Sequence, residues 1–329
     1  MSKSANIPIT PNVLKPTSVA QCTLCRYHQP VRSAYIGRLA PSPTGLLHLG
    51  HAATFRAAFT RAREHNGILL LRNEDLDPQR SRPEFVAAIL EDLSWLGIAW
   101  QPPLLSQSGR LPTYRAAFER LLAAGNIYPC TCSRRDLAHI AQAPHEDDSD
   151  DEPRYDGHCR PSGCPKPALS EAEGADLSDV GLSPSPVNLQ ANYRFRVPDG
   201  ETIRFLDHSL GPRHFTAGAD FSDFVIWRRP LTGDPTDLGL PSYQLACVID
   251  DAHQRITEVV RGADLLKSTA RQILLQRALG LPRVDYFHTA LLRDEHGVRL
   301  AKRHDALAIQ TLPNAGLTAT DVLARIAAK

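Results

Sequence analysis

The sequence predicts an α/β fold in which a parallel sheet carries helices on both faces. A strand that ends at Leu39 is followed by a loop rich in proline and glycine and by an apolar-periodic helix from about His48. The short apolar run 68–71 is typical of a strand buried in a parallel sheet. The same strand–loop–helix order returns at 256–279. One sheet built from both parts of the chain is the most economical topology.

Helical spacing of apolar residues predicts three helices in the first part of the chain. The first helix is closed by Gly67, the second ends near Trp95, and the third is closed by Gly125. The second begins at 81–84, where a proline lies in the first turn of the helix. The polar residues after the strand 68–71 fall at the edge of the sheet where open α/β proteins bind ligands.

The start of the first helix predicts a phosphate site. Its first N–H groups and its dipole favour an anion. His48 and His51 are three residues apart, so both imidazoles lie on one face of the helix. Gly50, between them, has no side chain and lets a flat base approach the backbone closely. The alternative is that both histidines are surface or capping residues.

Alternating apolar residues predict strands in the second part of the chain. Hairpin-like strands are expected at 193–197 and 202–211, and another strand at 223–230. The later expected elements alternate again between helices and one strand: a helix from about 241 to 251, a strand at 256–260, a helix at 267–279 and a final helix at 318–328.

Length and composition describe an ordinary soluble protein. The 329 residues allow roughly two domains and a substantial core. No apolar run reaches the ~18 residues of a membrane span, and the N-terminus has no secretory h-region. The seven cysteines are odd in number and unevenly placed, which favours a reducing cytoplasm over a disulfide framework.

The net charge of +1 is unevenly distributed. Residues 144–190 hold eleven acidic and three basic residues, a net charge of −8, so the rest of the chain carries +9. A moderately basic body suits a phosphate-rich partner. The acidic block repels itself and is expected to be a solvated loop, continued by a stretch rich in proline and serine. A second interpretation makes this block an electrostatic gate against the phosphate-rich partner.

A group of cysteines predicts a structural zinc site. Zinc prefers four ligands and takes sulfur readily. On composition alone His158 is a more ordinary fourth ligand than a tyrosine, and Cys164 lies nearby as a substitute or a bystander. The donors in a C-x-C and Y-x3-C arrangement are Cys130, Cys132, Tyr155 and Cys159.

The first histidine region resembles a known family. The run RLAPSPTGLLHLGH at 38–51 is similar to the first signature of the glutamyl branch of class I aminoacyl-tRNA synthetases. The run LRNEDLDPQRS at 71–81 follows the same family. The cysteine pattern resembles the zinc site of the glutamyl-queuosine members of this family, and this resemblance selects Tyr155 as the fourth ligand.

A second signature is present in degenerate form. RLAKR at 299–303 resembles the Lys-Met-Ser-Lys-Ser pattern of the family. Lys302 matches the second lysine, and Arg299 keeps the charge of the first. Ala301 and Arg303 replace the serines, which puts the closing of this loop in doubt.

The resemblance implies an ATP site and an amino-acid pocket. Arg38 heads the first motif, and its alternative role is a structural salt bridge. Mg²⁺ is expected with ATP. The residues implied for ATP and catalysis are His48, Gly50, His51 and Lys302. Those implied for L-glutamate are Arg38, Ala40, Ser42, Glu74, Tyr243 and Arg261.

The implied organisation is a Rossmann-like domain split by a zinc-bearing insertion, with a small helical C-terminal part. Because only 27 residues follow Lys302, no anticodon-binding domain is expected. The expected regions are a loose tail (1–33), the first half of the catalytic domain (34–108), the zinc-binding insertion (109–195), the second half (196–289) and the C-terminal segment (290–329).

The implied reaction is ATP-dependent activation of L-glutamate and its transfer to queuosine in the anticodon loop of tRNA(Asp). No membrane and no obligate protein partner are expected. Two alternatives stay open. One is the core of a true glutamyl-tRNA synthetase. The other is an inactive module that binds tRNA or zinc, which the degenerate second signature favours.

Overall fold

The computed structural model describes residues 34–132, 155–161, 191–230, 232, 234, 237–292 and 308–327. The strands are β1 (Ile36–Leu39), β2 (Ile68–Asn73), β3 (Gln101–Ser106), β4 (Ile127–Cys130), β5 (Asn192–Phe195), β6 (Thr202–Asp207), β7 (Gly211–Thr216), β8 (Phe224–Arg228), β9 (Leu240–Pro241), β10 (Glu258–Gly262) and β11 (Asp285–Thr289). The α-helices are α1 (Leu49–Glu64), α2 (Pro83–Trp95), α3 (Leu111–Ala123), α4 (Tyr243–His253), α5 (Leu266–Leu279) and α6 (Ala319–Ala327).

Parallel strands from both ends of the chain form the centre of the fold. β1, β2 and β3 pair in parallel in that order, and β10 pairs in parallel with β11. The two sets meet where the N–H of Thr257 donates to the carbonyl of Ile36 at 2.9 Å. The Arg38 side chain reaches the Val260 carbonyl at 3.1 Å, so β10 runs beside β1. The predicted α/β fold with parallel strands is confirmed. The strands from the two parts of the chain lie side by side, but they pair as two separate sheets rather than one.

Helices cover both faces of these parallel strands, as predicted. Leu69 and Leu71 of β2 pack into one buried cluster with α1, α2 and α6. Leu70, between them, packs against a second cluster that contains residues of α3, α4 and α5. Val259 and Val260 of β10 divide between the two clusters in the same way. Successive side chains of a strand point to opposite faces, so the continuous apolar runs serve two cores.

Antiparallel strands extend the fold beyond the parallel strands. β6 and β7 form a hairpin, and β6 adjoins β11. The strands expected at 193–197 and 202–211 do not pair with each other, since β5 pairs with β4 and β8, and β7 was not predicted. β4, β5, β8 and β9 form a separate four-stranded sheet, in which all neighbours are antiparallel. This sheet joins strands from either side of residue 195. The domain boundaries stay predictions.

Two element ends differ from expectation. α1 ends at Glu64, and Asn66, with φ of 49°, makes the left-handed turn that Gly67 was expected to make. β10 covers Glu258–Gly262 rather than 256–260. The N–H of Ile256 is used to close the turn after α4, because it donates to the Asp251 carbonyl at 2.9 Å.

None of the described helices has the length and apolarity needed to cross a bilayer. The expected N-terminal tail (1–33) and most of the expected acidic loop lie outside the described residues.

Gly67→Ala should destabilise the protein by about 1–3 kcal/mol, because added atoms would overpack a tight turn. A Cβ at Gly67 would lie 2.3 Å from the carbonyl oxygen of Tyr35. Gly109→Ala is the matched control, since a Cβ there meets nothing within 4 Å. Urea unfolding of both variants measures the difference. Equal free energies of unfolding for the two variants would contradict the packing argument.

Candidate active site and thiol cluster

A cleft of about 510 Å³ lies at the carboxyl ends of β1, β2 and β10, beside the start of α1. The loop after β1 and the first turn of α1 form one wall. The strand ends and the start of α4 contribute the other side chains. The cleft brings together nine residues that the sequence predicted for one site: Arg38, Ala40, Ser42, His48, Gly50, His51, Glu74, Tyr243 and Arg261. Lys302 and the second signature lie outside the described residues.

The two histidines cap α1 reciprocally. His48 is the N-cap residue, and its Nδ1 accepts from the N–H of Gly50 at 3.1 Å. The Nδ1 of His51 accepts from the N–H of His48 at 3.2 Å, and the ring centroids are 3.8 Å apart. Because both Nδ1 atoms are acceptors, each neutral ring holds its proton on Nε2. The capping alternative is therefore correct for the fold. Within the described residues, neither Nε2–H group has a backbone partner.

Both rings are neutral near pH 7. Burial lowers the pKa of His48. Burial, together with the neighbouring His48, lowers the pKa of His51 to about 3. The pair therefore offers hydrogen-bond donors to an anion without adding positive charge.

Gly50 is required by the cap itself. A Cβ at this position would lie 2.9 Å from Cε1 of the His48 ring. The sequence had explained Gly50 by the approach of a base to the backbone. In the structure, the Gly50 N–H donates to His48 Nδ1 and is therefore not available to a phosphate.

A buried network of charges lies beside the cleft. Arg72 has no exposed surface, and it donates to Asp251 Oδ1 at 2.7 Å and to Glu74 Oε1 at 3.0 Å. Asp251 Oδ1 also accepts from Nε of Arg38 at 3.2 Å. Burial raises the pKa of Glu74, and the Arg72 and Arg38 guanidinium groups oppose that rise. Sequence reasoning missed Asp251, although two aspartates in the otherwise apolar run of α4 were a usable signal.

Arg38 takes part in this network and also lines the cleft. Its Nη1 donates to the Val260 carbonyl at 3.1 Å, and its Nε is held by Asp251. Within the described part of the chain, its Nη2 makes no hydrogen bond. The salt-bridge alternative and the binding role are therefore compatible for Arg38.

Arg261 is a buried cation whose partners are all uncharged. Its side chain is 4% exposed. It donates to Gln272 Oε1 at 2.9 Å, to Thr269 Oγ1 at 2.7 Å and to the Tyr243 hydroxyl at 3.2 Å. Its Nε donates to a fourth neutral group, Nε2 of His288, at 3.3 Å. No carboxylate among the described residues pairs with it, so this cation is suited to an anionic ligand in the cleft.

A second cleft of about 370 Å³ adjoins the first. The two share four lining residues, among them Glu74 and Tyr243. The additional lining is mostly polar and includes Asp77, Arg80 and Arg228. The Glu74 side of the first cleft is therefore also open to the second cleft.

Three thiols of the predicted metal site lie together. The Sγ atoms of Cys130, Cys132 and Cys159 are all within 4.8 Å of one another. Tyr155 joins them, because its hydroxyl lies 3.7 Å from Cys130 Sγ. Thiolates around a tetrahedral zinc, with Zn–S of about 2.3 Å, are about 3.8 Å apart, so this donor set fits zinc. His158 is not part of the cluster among the described residues, and Cys164 lies outside them.

A buried arginine that the sequence did not single out contacts this cluster. Nε of Arg194 donates to Cys130 Sγ at 3.3 Å. Its guanidinium carbon lies 4.0 Å from the ring centroid of Tyr155, and its Nη1 donates to the Asp223 carbonyl at 2.9 Å. A cation here offsets the negative charge that three thiolates would bring. Strand alternation alone does not mark this residue.

Comparison with known proteins gives one family. The tRNA synthetases class I (E and Q), catalytic domain, match residues 36–324. A Glutamyl-Q tRNA(Asp) synthetase of Rhodobacter capsulatus is 41% identical over 289 residues, which cover 87% of this chain and 98% of the relative.

Longer relatives match the same region. A Glutamate–tRNA ligase of Synechococcus sp. is 39% identical over 285 residues, 86% of this chain and 56% of the relative. The crystal structure of a glutamate-tRNA synthetase from Elizabethkingia anophelis superposes with a TM-score of 0.63 at 26% identity, covering 82% of this chain and 53% of that one. The chain thus spans about half the length of these two proteins.

Acid should weaken the fold through His51. An unfolded histidine binds its proton near pH 6.5, whereas folded His51 binds one only near pH 3. The unfolded state therefore binds more protons between these values. The stability contribution is complete above pH 6.5 and is lost as the pH falls below it.

The measurement is urea unfolding at pH 7 and pH 5. His51→Asn cannot titrate, so its free energy of unfolding should fall less between these two pH values than that of the wild type. His214→Asn, at an exposed position of β7, is the control and should behave as the wild type. An unchanged pH dependence in His51→Asn would contradict the assignment.

Proposed function

Because the chain belongs to the class I tRNA synthetases of the glutamate and glutamine group, we propose that it activates L-glutamate with ATP. The activated glutamate is then transferred to queuosine in the anticodon loop of tRNA(Asp). The observation that supports this most directly is Arg261, a buried cation in the cleft whose partners among the described residues are all uncharged.

Activation joins two anions. An oxygen of the α-carboxylate attacks the α-phosphorus of ATP, the bond from that phosphorus to the β-phosphate oxygen breaks, and pyrophosphate leaves. The reaction depends on positioning and on neutralising the charge of the leaving group. The Nε2–H groups of His48 and His51 would donate to phosphate oxygens, and Lys302 would accompany the departing pyrophosphate. Mg²⁺ bound by the phosphates needs few protein ligands.

Glutamate presents two carboxylates and an ammonium to the cleft. Arg261 and the unused Nη2 of Arg38 suit the carboxylates, and Glu74 suits the ammonium. Ala40 and Ser42 lie in the loop between β1 and α1, and Tyr243 extends the Arg261 wall. A substrate ammonium beside Glu74 would stabilise the ionised carboxylate, whose pKa burial raises.

The second step consumes the adenylate. A hydroxyl group of the tRNA attacks the acyl carbon, and AMP leaves. The Rhodobacter capsulatus relative supports queuosine as the acceptor, since the match covers 98% of its length. A true glutamyl-tRNA synthetase core is the second candidate, because the Synechococcus ligase is almost as similar over the same region. Substrates that include tRNA, and thiols held free, suit a reducing cytoplasm.

The thiol cluster would hold one structural zinc ion. Three thiolates and the Tyr155 oxygen complete a four-ligand set, and the metal would tie the 130–132 segment to the 155–159 segment. Arg194 would balance the charge of this centre from inside the protein.

Exchange of labelled pyrophosphate into ATP tests the activation step. We expect exchange with glutamate, and none with glutamine or aspartate, in the absence of tRNA. Arg261→Gln should raise the KM for glutamate roughly 10- to 100-fold, because a hydrogen bond to a charged group contributes ~1.5–3 kcal/mol. Arg277→Gln is the control. Arg277 lies on α5, and this change removes its half-exposed ion pair with Glu201. Absence of glutamate-dependent exchange would favour the inactive-module hypothesis.

A comparison of tRNA substrates tests the acceptor. Labelled glutamate should become attached to tRNA(Asp) that carries queuosine and not to the same tRNA without it. Removing the terminal adenosine of the queuosine-containing tRNA should leave the reaction unchanged, since the ester would form on the base. A different result would identify a true glutamyl-tRNA synthetase core instead. In that case glutamate tRNA would accept the label, and removal of its terminal adenosine would abolish the reaction.

Elemental analysis of the purified protein tests the metal. We expect about one zinc ion per chain, and loss of zinc in Cys159→Ser because a four-ligand structural site would be opened. His158→Ala should retain zinc, since this residue is not among the clustered donors. Zinc retained in Cys159→Ser and lost in His158→Ala would overturn the ligand assignment.

A further inference from the structure

Two buried residues that the proposed mechanism does not use lie behind Arg261. Asp207 ends β6, and His288 lies on β11 directly opposite Arg261 in the β10–β11 pairing. The side chains of Asp207 and His288 have no exposed surface. Nδ1 of His288 lies 2.5 Å from Asp207 Oδ2, and Nε2 of His288 lies 3.3 Å from Nε of Arg261.

The direction of these hydrogen bonds follows from the arginine. A guanidinium nitrogen only donates, so Nε2 of His288 accepts from it. The proton of the neutral ring therefore resides on Nδ1 and is donated to Asp207. Burial, and after it the charge of Arg261, lower the pKa of His288, and Asp207 opposes part of this change. The resulting pKa is about 4, so the ring is neutral near pH 7.

Asp207 is itself fixed as an anion. Its Oδ1 accepts from the N–H groups of Ser209 at 3.0 Å and Leu210 at 2.8 Å, and its Oδ2 accepts from the N–H of His288 at 3.1 Å. Burial raises the pKa of Asp207, but the hydrogen bonds from His288 and the backbone bring it below its usual value. The carboxylate thus has a fixed orientation toward the imidazole.

Thr269 holds the same guanidinium from a neighbouring direction. Its Oγ1 accepts from Nη2 of Arg261 at 2.7 Å and lies 3.0 Å from Nε2 of His288. Nε and Nη2 of Arg261 are therefore held by β11 and α5. Nη1 donates to Gln272 and to Tyr243, and Tyr243 lines the cleft.

We propose that Asp207, His288 and Thr269 are positioning residues that orient Arg261 for the substrate carboxylate; this inference rests on the proposed function. A carboxylate paired directly with Arg261 would neutralise the cation and occupy the donors that the substrate needs. A neutral imidazole between Asp207 and Arg261 fixes the guanidinium and keeps its charge available. The negative charge of Asp207, one ring away, offsets part of the cost of burying the cation.

The test is the KM for glutamate against the KM for ATP in pyrophosphate exchange. His288→Leu should raise the KM for glutamate roughly ten- to a hundredfold, since misplacing a binding group has an effect of this size. The KM for ATP should stay within about twofold. His288→Gln keeps an acceptor for Nε of Arg261 and should recover part of the loss.

Thr269→Val is the second variant, because it removes only a hydroxyl group and is the less disruptive change. It should also raise the KM for glutamate and not that for ATP. Tyr35→Phe is the control: it also removes a hydroxyl group that makes a hydrogen bond, in this case a half-buried one bonded to Glu258 at 2.9 Å, away from the cleft. Thermal unfolding of every variant verifies that the protein is folded.

Three outcomes are distinguishable. A selective rise in the KM for glutamate in His288→Leu and Thr269→Val supports the inference. Unchanged KM values in both variants, or equal rises in the KM for glutamate and for ATP, would overturn the inference. The proposed function would still stand, provided that the wild type shows glutamate-dependent exchange. A folded wild type that shows no exchange with glutamate would overturn the proposed function and this inference together.

Discussion

The shared carboxylate of Asp251 is the interaction on which the cleft depends. It accepts from Arg38 on β1 and from Arg72 on β2, and it belongs to α4. One buried anion therefore fixes the ends of two neighbouring strands and the helix that covers them. Removing it would leave Arg38 without a carboxylate partner among the described residues and Arg72 with one close carboxylate fewer, and an unpaired buried cation costs far more than a surface ion pair contributes. The position of Glu74 follows, because Arg72 also holds that carboxylate.

Arg261 lies beside this network of paired charges but differs from Arg38 and Arg72 in its partners. The charges of Arg38 and Arg72 are balanced by acids within the protein, whereas every described partner of Arg261 is uncharged. A protein retains such a buried cation when a ligand supplies the negative charge. The cleft therefore combines a network of paired charges with Arg261, a cation that we propose binds an anionic ligand.

The thiol cluster uses the same physics in a different part of the fold. Cys130 ends β4, Tyr155 and Cys159 come from a separate segment, and Arg194 on β5 lies against both. Adjacent antiparallel strands thus bring a cation to a group of donors that becomes negative when it binds a metal. Charge balance inside the protein determines the surroundings of the cluster as well as those of the cleft.

Much of the fold followed from local patterns, and most of the candidate site followed from the resemblance to a known family. Periodicity placed each of the described α-helices and six of the eleven described strands, because an apolar stripe must be buried whatever its partner. β3, β4, β7, β9 and β11 were not predicted. The histidine motif and the cysteine spacing identified His48, His51 and the thiols, since their chemistry is tied to short spacings along the chain. The charge of Arg38 and its place beside the loop were also visible there.

What the sequence alone determined was therefore which segments form elements and which short motifs carry donors and cations. Only the tertiary structure decided which of those charged groups are paired with a group of opposite charge. Asp251, His288, Asp207 and Arg194 lie far along the chain from the groups they hold, and nothing in their local sequence reports a partner on another strand. Pairing between buried charges is a property of distance in space, because the Coulomb energy depends on separation and burial and not on sequence order.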